Sequence, residues 1–391
     1  MIKLAEATID NQDIDQLIEW LKTYPRLTKG PLTKEYEDKW SSYLDVDHST
    51  FVNSGSSANL LMLATLLESG DLKKGDSVIV PAVSWATDVA PIMQLGLRPI
   101  LCDCNLQDYS IHVGKLKTIL EEGVLRVERN GSKYRDRASA LIVVPVLGLV
   151  PDMKKIQELC RVHDVILLED CCEALGSEYR GQKLGTFGEM STFSTYFGHH
   201  ISTIEGGMVC TSNPRYDKIL KSIRSHGWDR DWTPDDQERS RKKWKVTEFD
   251  SLYTFYHAGF NVRSTDLQAF IGLKQLDKLE QIVEVRNKNF ALYNESFGVT
   301  IDERNFVSNF AYPVVSKNRE QIVKALQKEN IEVRPLICGS MGVQPFYVKA
   351  YGETPLRNAD KLRKHGMYLP NHHLLSEDDI KRICDIVKGL I

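Results

Sequence analysis

Three features that define large classes of protein are missing from this chain of 391 residues. Its eight cysteines include no C-x-x-C pair, which argues against a zinc ribbon and favours reduced, partly buried thiols. No basic stretch precedes a long apolar run near the N-terminus, and no apolar window approaches membrane-spanning length. The net charge is −3, without the basic excess of a nucleic-acid-binding protein. We therefore expect a cytoplasmic protein with no membrane or nucleic-acid partner.

The first two-thirds of the chain alternate strand-like runs, such as "DSVIVP" and "VILLED", with helical patterns such as "SSANLLMLATLLESG". This alternation predicts an α/β fold with a mostly parallel sheet covered by helices on both faces. The polar stretch 121–138 is predicted to be an unpatterned surface insertion. A long helical pattern begins at about residue 265, and shorter mixed elements follow it. We predict an N-terminal segment (1–25), a large α/β domain (26–270) and a small C-terminal α+β domain (271–391).

Four motifs follow predicted strands, at the sheet edge where open α/β folds bind ligands. In "NSGSSANLL" (53–61), a strand ends and a helix begins. Gly55 permits a tight turn, and the Ser56 hydroxyl and the free N–H groups of the first helical turn suit a phosphate. Ordinary serine capping explains this motif equally well.

Two further motifs follow other strands. "VILLEDCCEALGS" (165–177) places Glu169 and Asp170 at the end of a central strand, where a buried carboxylate needs a partner. That partner could be a protonated heterocyclic nitrogen, but a helix cap or an internal salt bridge is favoured from this motif alone. Trp85 in "PAVSWATDV" is either a stacking platform for a flat ring or a core aromatic residue.

The fourth motif is "FSTYFGHHISTIEGG" (193–207). Ser194 is a second candidate for binding phosphate, and His199 and His200 follow it. Adjacent side chains rarely converge on one ion, and no cysteine or acidic residue has suitable local spacing, so we predict no metal site. A single imidazole acting as an acid or base near neutral pH fits the motif better.

In this order, the motifs resemble those of the DegT/StrS family of sugar-nucleotide aminotransferases, which have fold type I, the aspartate-aminotransferase-like fold. "GFNVRSTDLQAFIGLKQL" (259–276) is similar to another stretch typical of that family. The resemblance implies pyridoxal or pyridoxamine phosphate as the cofactor and a homodimer with shared active sites. The implied cofactor-binding residues are Gly55, Ser56 and Ser194 at the phosphate, Asn261 from the partner subunit, Trp85 against the ring, Asp170 at the ring nitrogen and Glu173 near the ring hydroxyl.

The chain departs from the family at His199, the position at which "S-x-x-x-x-K-x-I-x-x-x-E-G-G" carries the lysine that holds the cofactor covalently. An imidazole can remove a proton, but it cannot form that bond or release a product amine. The substitution resembles a small subgroup of 3-dehydratases that act on nucleotide-linked 4-keto-6-deoxy sugars. It implies His199 as the catalytic base, which removes a proton from C4′ of the aminated cofactor as the C3 hydroxyl leaves.

One branch of this subgroup uses an iron–sulfur cluster, but the corresponding region 225–261 has no cysteine, so we expect no cluster. The resemblance favours the other branch, which acts on GDP-4-keto-6-deoxymannose in colitose formation and uses glutamate to regenerate the cofactor. His226, Arg230 and Arg334 are candidate contacts to substrate; solvated side chains are the alternative. A slow aminotransferase and a non-catalytic cofactor-binding scaffold stay open as alternative functions.

Overall fold

The computed structural model describes residues 1–127 and 133–391. The strands in this part of the chain are β1 (His48–Val52), β2 (Ser77–Pro81), β3 (Arg98–Cys102), β4 (Val124–Val127), β5 (Lys133–Asp136), β6 (Ala138–Val143), β7 (Ile166–Asp170), β8 (Glu178–Tyr179), β9 (Gln182–Lys183), β10 (Met190–Ser194), β11 (Gly207–Thr211), β12 (Tyr312–Val315), β13 (Arg334–Pro335) and β14 (Gly366–Leu369).

The α-helices of the same residues are α1 (Asn11–Leu21), α2 (Pro31–Leu44), α3 (Gly55–Ser69), α4 (Ala86–Gln94), α5 (Val113–Glu122), α6 (Met153–Val162), α7 (Pro214–Ile223), α8 (Pro234–Trp244), α9 (Asp266–Phe297), α10 (Arg319–Lys328), α11 (Pro345–Tyr351), α12 (Arg357–His365) and α13 (Glu377–Lys388). No helix in the described residues combines the length and apolar character that crossing a bilayer requires.

The central sheet of the described residues has the strand order β1-β11-β10-β7-β6-β2-β3. Strand β11 runs antiparallel to both neighbours, and the other pairs are parallel. The prediction of a mostly parallel α/β sheet is therefore confirmed. Because β1, β2, β7 and β10 point the same way, the loops that follow them meet at one edge of the sheet.

Helix α9 connects this sheet to the C-terminal elements. A capping box between Thr265 and Gln268 starts the helix, and Gly298 in the left-handed conformation ends it. The helix runs unbroken through residue 270, so the predicted division between 270 and 271 falls inside it. Beyond it, β12, β14 and β13 form a small antiparallel sheet, as expected for an α+β C-terminal part. The domain limits themselves stay a prediction.

The stretch 121–138 differs from the sequence expectation of an unpatterned insertion. Strands β4 and β5 pair antiparallel within it, and residues 128–132 lie outside the described residues. The Ser77 hydroxyl donates a hydrogen bond of 2.6 Å to the buried Asp136 carboxylate. The high polar content of this stretch hid the two strands, because an antiparallel ribbon can be solvated on one face.

The acidic pair at the end of β7 divides into two roles, because successive strand residues point to opposite faces. The buried Glu169 carboxylate accepts backbone N–H groups of Gly185, Phe187 and Gly188 at 2.7–2.8 Å. It therefore fixes the loop that precedes β10. Asp170 faces the other way, towards the edge at which the motifs converge.

We expect Glu169→Ala to lower the free energy of unfolding by about 3 kcal/mol, because it leaves buried N–H groups without a partner. Urea denaturation measures the change. Glu121→Ala, at an exposed helical ion pair with Lys117, is the control and should change it by less than about 0.5 kcal/mol. Equal losses in the two variants would contradict this role for Glu169.

Candidate functional site

The loops that follow the parallel strands enclose a cavity of about 710 Å³. Most of the residues singled out from the sequence line it: Gly55, Ser56, Trp85, Asp170, Glu173, Ser194, His199 and Arg334. The cavity is also lined by Leu4 and Ala5 near the N-terminus and by Tyr368 in strand β14. The sequence motifs therefore come together in one pocket between the central sheet and the C-terminal part.

Three predicted residues lie outside the lining of this cavity. Asn261 is exposed, accepts a hydrogen bond of 3.1 Å from Arg263 Nε, and pairs through its backbone with Ser225. The His226 N–H donates to the Phe260 carbonyl. The Arg230 guanidinium lies 3.7 Å from the centre of the Trp228 ring. Within one subunit, these side chains therefore do not join the pocket.

The start of α3 forms one end of the pocket. Ser54 caps the helix by accepting the N–H of Ser57, while the N–H groups of Gly55 and Ser56 lie in the first turn, where no helical acceptor exists. A Cβ atom on Gly55 would lie 2.8 Å from Cβ and 3.2 Å from Oγ of Ser194. Only glycine allows the helix start and Ser194 to approach this closely, and the resulting cradle suits an anion.

Asp170 is held at the floor of the pocket by a chain of hydrogen bonds. Thr192 Oγ1 donates to Asn59 Oδ1 at 2.6 Å, which turns the amide so that Asn59 Nδ2 donates to Asp170 Oδ2, also at 2.6 Å. The other Asp170 oxygen accepts the N–H of Cys172 at 2.9 Å. Asp170 is thus oriented without a cationic partner among these contacts, so its charge is free to act on a ligand.

Asn59 and Asp88 are site residues that the sequence interpretation missed. Asn59 lies four residues after Gly55, so the face of a helix starting at Gly55 could have indicated it. Asp88 lies three residues after Trp85 and accepts the Trp85 N–H at 2.9 Å, a spacing typical of a helix start. Burial, followed by the charge of Asp170, raises the pKa of the Asp88 carboxyl well above its usual range.

Glu173 is built into a strained part of the wall. Its carboxylate accepts the N–H of Leu147 at 2.7 Å, and the backbone of Leu147 is left-handed, with φ of 55°. The Leu147 carbonyl accepts from the N–H of Phe310 and from Asn309 Nδ2. Burial raises the pKa of Glu173 to about 7, against the lowering effect of the Leu147 N–H. Backbone strain of this kind accumulates at functional sites.

The two adjacent histidines have different surroundings. His200 is fully buried, and its Nε2 lies 3.0 Å from the Ser308 carbonyl oxygen. His199 lines the cavity, its ring centre lies 5.3 Å from that of Phe310, and its buried Nδ1 has no hydrogen-bond partner in the described part of the chain. Burial lowers the pKa of His199 to about 4, and the charge of Asp170 opposes that shift. His199 is therefore neutral near pH 7 and can accept a proton.

These residues fit a pyridoxal phosphate type of cofactor. The start of α3, which Gly55 allows to approach Ser194 closely, suits the cofactor phosphate. The exposed Trp85 offers a flat face for the ring, and the buried Asp170 carboxylate has no cationic hydrogen-bond partner among the contacts described above. His199 Nδ1 is buried without a partner beside them. In the described residues, no group of three His, Cys, Asp or Glu side chains is arranged to bind a metal ion.

A seven-stranded sheet with this site at its edge defines the aspartate-aminotransferase-like class of fold. The chain belongs to the DegT/DnrJ/EryC1/StrS aminotransferase family, whose model matches residues 7–388. GDP-4-keto-6-deoxy-D-mannose 3-dehydratase of Yersinia pseudotuberculosis is 32% identical, over 98% of each chain. The resemblance to this pyridoxal-phosphate-dependent family, expected from the motifs, is thereby confirmed.

Solved structures agree with this assignment. GDP-4-keto-6-deoxymannose-3-dehydratase with a trapped PLP–glutamate geminal diamine has a TM-score of 0.87 and 31% identity, covering 99% of this chain and 100% of that one. A histidine-to-asparagine mutant of that type of enzyme with bound GDP-perosamine has a TM-score of 0.86, 31% identity and the same coverage. The fold type I architecture, with a small C-terminal domain beside the large sheet, is confirmed.

Proposed function

We propose that this protein is a 3-dehydratase of a nucleotide-linked 4-keto-6-deoxyhexose, with GDP-4-keto-6-deoxymannose as the substrate and glutamate as the donor that regenerates the aminated cofactor. The observation that carries the proposal is the presence of His199 in the cavity wall, at the position of the family lysine. None of the described residues that line the cavity is a lysine. The matching dehydratases and the bound GDP sugar of one relative support the choice of substrate.

The pocket residues divide the work as follows. The N–H groups at the start of α3 and the hydroxyls of Ser56 and Ser194 would bind the phosphate, Trp85 would lie against the ring, and Asp170 would keep the ring nitrogen protonated. When bound, pyridoxamine phosphate supplies an amine to the sugar ketone and a sink for electrons. His199 accepts a proton at its imidazole, because burial keeps that group neutral at the working pH.

The same arrangement explains why amino transfer is disfavoured. A lysine amine can release a product amine by taking its place on the cofactor, whereas an imidazole can only accept or return a proton. His199 would therefore take up a proton as the C3 hydroxyl of the sugar leaves. The expected products are a 3,6-dideoxy-4-keto sugar and ammonia.

The remaining predicted residues belong to the same proposal. Arg334 lies at the cavity wall, where a guanidinium can bind a carboxylate or diphosphate with two hydrogen bonds. Asn261, His226 and Arg230 would act in the pocket of a partner subunit, which requires a homodimer. Phe249 and Tyr253, which lie between His226 and Asn261 in the chain, are exposed in one subunit. Two large exposed aromatic side chains support the proposal that a partner subunit covers this surface. Light scattering tests the dimer, and a monomer would contradict this part of the proposal.

The proposed reaction is tested by mixing the purified protein with pyridoxal phosphate, glutamate and GDP-4-keto-6-deoxymannose. We expect 2-oxoglutarate, ammonia and the 3-deoxy sugar, which NMR of the product identifies. Accumulation of an aminosugar would instead establish the aminotransferase alternative. No spectral change of the bound cofactor on addition of glutamate would favour the non-catalytic scaffold.

Glu173 gives a prediction about pH. Because its pKa is raised to about 7, the carboxyl is protonated below that pH and ionised above it. If Glu173 lies near the cofactor's ring hydroxyl, the absorbance of the bound cofactor should change with an apparent pKa near 7. Glu173→Gln should abolish this transition, while keeping an oxygen to accept the Leu147 N–H. The same transition in wild type and variant would contradict this placement.

A further inference from the structure

Asp88 lies beside Asp170 in the wall of the cavity, and the two carboxyl groups share one hydrogen-bond donor. Asn59 Nδ2 is 2.6 Å from Asp170 Oδ2 and 3.3 Å from Asp88 Oδ1. The exposed fraction is 1% for Asp88 and 5% for Asp170. Asp88 lies at the start of α4 and Asp170 at the end of β7. The two carboxyl groups are therefore neighbours only in the folded chain.

The hydrogen bonds that the described residues make to this pair come from uncharged groups. An amide and backbone N–H groups supply its hydrogen bonds, and among the described residues no cationic side chain is bonded to either carboxyl. The titratable neighbours are Glu173 and Cys172 after β7, His199 after β10 and Cys338 after β13. His199 is neutral near pH 7. Two buried carboxylates without a cation cannot both ionise cheaply, and burial together with the charge of Asp170 raises the pKa of Asp88 well above its usual range, which favours the protonated form of Asp88.

We propose that Asp88 is a second carboxylate, beside Asp170, that stabilises the protonated ring nitrogen of the cofactor. Asp88 loses its own proton when this cationic nitrogen lies beside Asp170. This inference rests on the cofactor part of the proposed function. The O–H bond of Asp88 breaks, the proton passes to the solvent, and two carboxylates then face one cation. The net charge of the group is −1 before and after, so the buried site gains no charge. Asp88 thus helps to keep the ring nitrogen protonated.

Asp88 also accepts the Trp85 N–H, and this structural role can be separated from its charge. Asp88→Asn keeps a side-chain oxygen for that N–H and removes the ionisable group. Asp88→Glu keeps the carboxyl on a longer side chain. Thr87→Val alters the neighbouring cavity-lining residue and is the control for local disturbance.

The test uses the full-length protein loaded with pyridoxal phosphate labelled with nitrogen-15 in its ring. The nitrogen chemical shift, followed from mildly acidic to basic pH, reports when the ring loses its proton. We expect Asp88→Asn to lose the ring proton about one pH unit or more below wild type. Asp88→Glu should lie between them, and Thr87→Val should match wild type. Equal titration of wild type and Asp88→Asn would overturn the proposal.

Calorimetry gives a second readout, in buffers of different ionisation enthalpy at mildly acidic pH, where the free cofactor ring carries its own proton. Wild type should release up to about one proton more than Asp88→Asn on binding the cofactor. If Asp88→Asn does not bind it, Asp88→Glu decides: a ring that stays protonated supports the proposal, and one that titrates as in solution overturns it. Neither experiment uses the sugar, so failure of the dehydratase assay would leave this result standing.

Discussion

His199→Asn is expected to lower dehydratase turnover by about 10² to 10⁴-fold, the usual contribution of a positioned acid or base. Asparagine is similar in size and can hydrogen-bond, but it cannot take up a proton. Cofactor binding should be nearly unchanged, because the phosphate and ring-nitrogen contacts come from other elements. Single-turnover kinetics on the protein loaded with the aminated cofactor measures turnover. An absorbance titration measures cofactor binding.

The adjacent histidine provides the matched control. His200 is buried against the Ser308 carbonyl and does not line the cavity. His200→Asn should lower thermal stability and change turnover by less than about tenfold, since it removes packing rather than a reacting group. Similar losses of turnover in the two variants would show that the fold of this segment matters and not the imidazole of His199.

Asp170→Asn should lower turnover by about 10² to 10³-fold, because removing a carboxylate beside a cationic nitrogen moves the pKa of that nitrogen by one to three units. The amide can still accept the Cys172 N–H, which now binds a carboxylate oxygen at 2.9 Å. The loss should therefore appear in cofactor affinity and turnover, measured by absorbance titration and product formation. The fold should be retained.

Glu169 separates this effect from general damage to the strand. Glu169 follows Leu168 in the same strand, but its carboxylate binds backbone N–H groups on the far side of the sheet. Glu169→Gln should lower stability and leave the affinity of the folded protein for cofactor close to wild type. Loss of cofactor binding in this variant, with Asp170→Asn unaffected, would contradict the assignment of the two carboxylates.

The sequence predicted the parts of the site that depend on strand ends. Asp170 and Ser194 end strands, Gly55 and Trp85 come shortly after strands, and a parallel sheet brings such positions to one edge whatever lies between them in the chain. The fold class could also be predicted, because strand-like apolar runs alternate with helical patterns along the first two-thirds of the chain. Lysine at the position of His199 would have given the same fold. The replacement of the family lysine was therefore visible only in the motif at residues 193–207.

Other features depend on tertiary packing that no local pattern encodes. The convergence of Asp88 and Asp170 on Asn59 requires three elements to be in place. The left-handed Leu147 is stabilised by contacts from Glu173 and from residues 309 and 310, which are distant in sequence. Likewise, sequence alone could not decide which histidine faces the cavity, because that depends on the turn of the loop after β10.

The central claim is that an imidazole replaces the covalent anchor of the cofactor, and reduction with borohydride followed by intact-protein and peptide mass spectrometry tests it most directly. The protein loaded with pyridoxal phosphate should keep its unmodified mass after reduction and unfolding, while His199→Lys should acquire one reduced cofactor on residue 199. A reduced cofactor attached to a lysine of the wild-type chain would contradict the account.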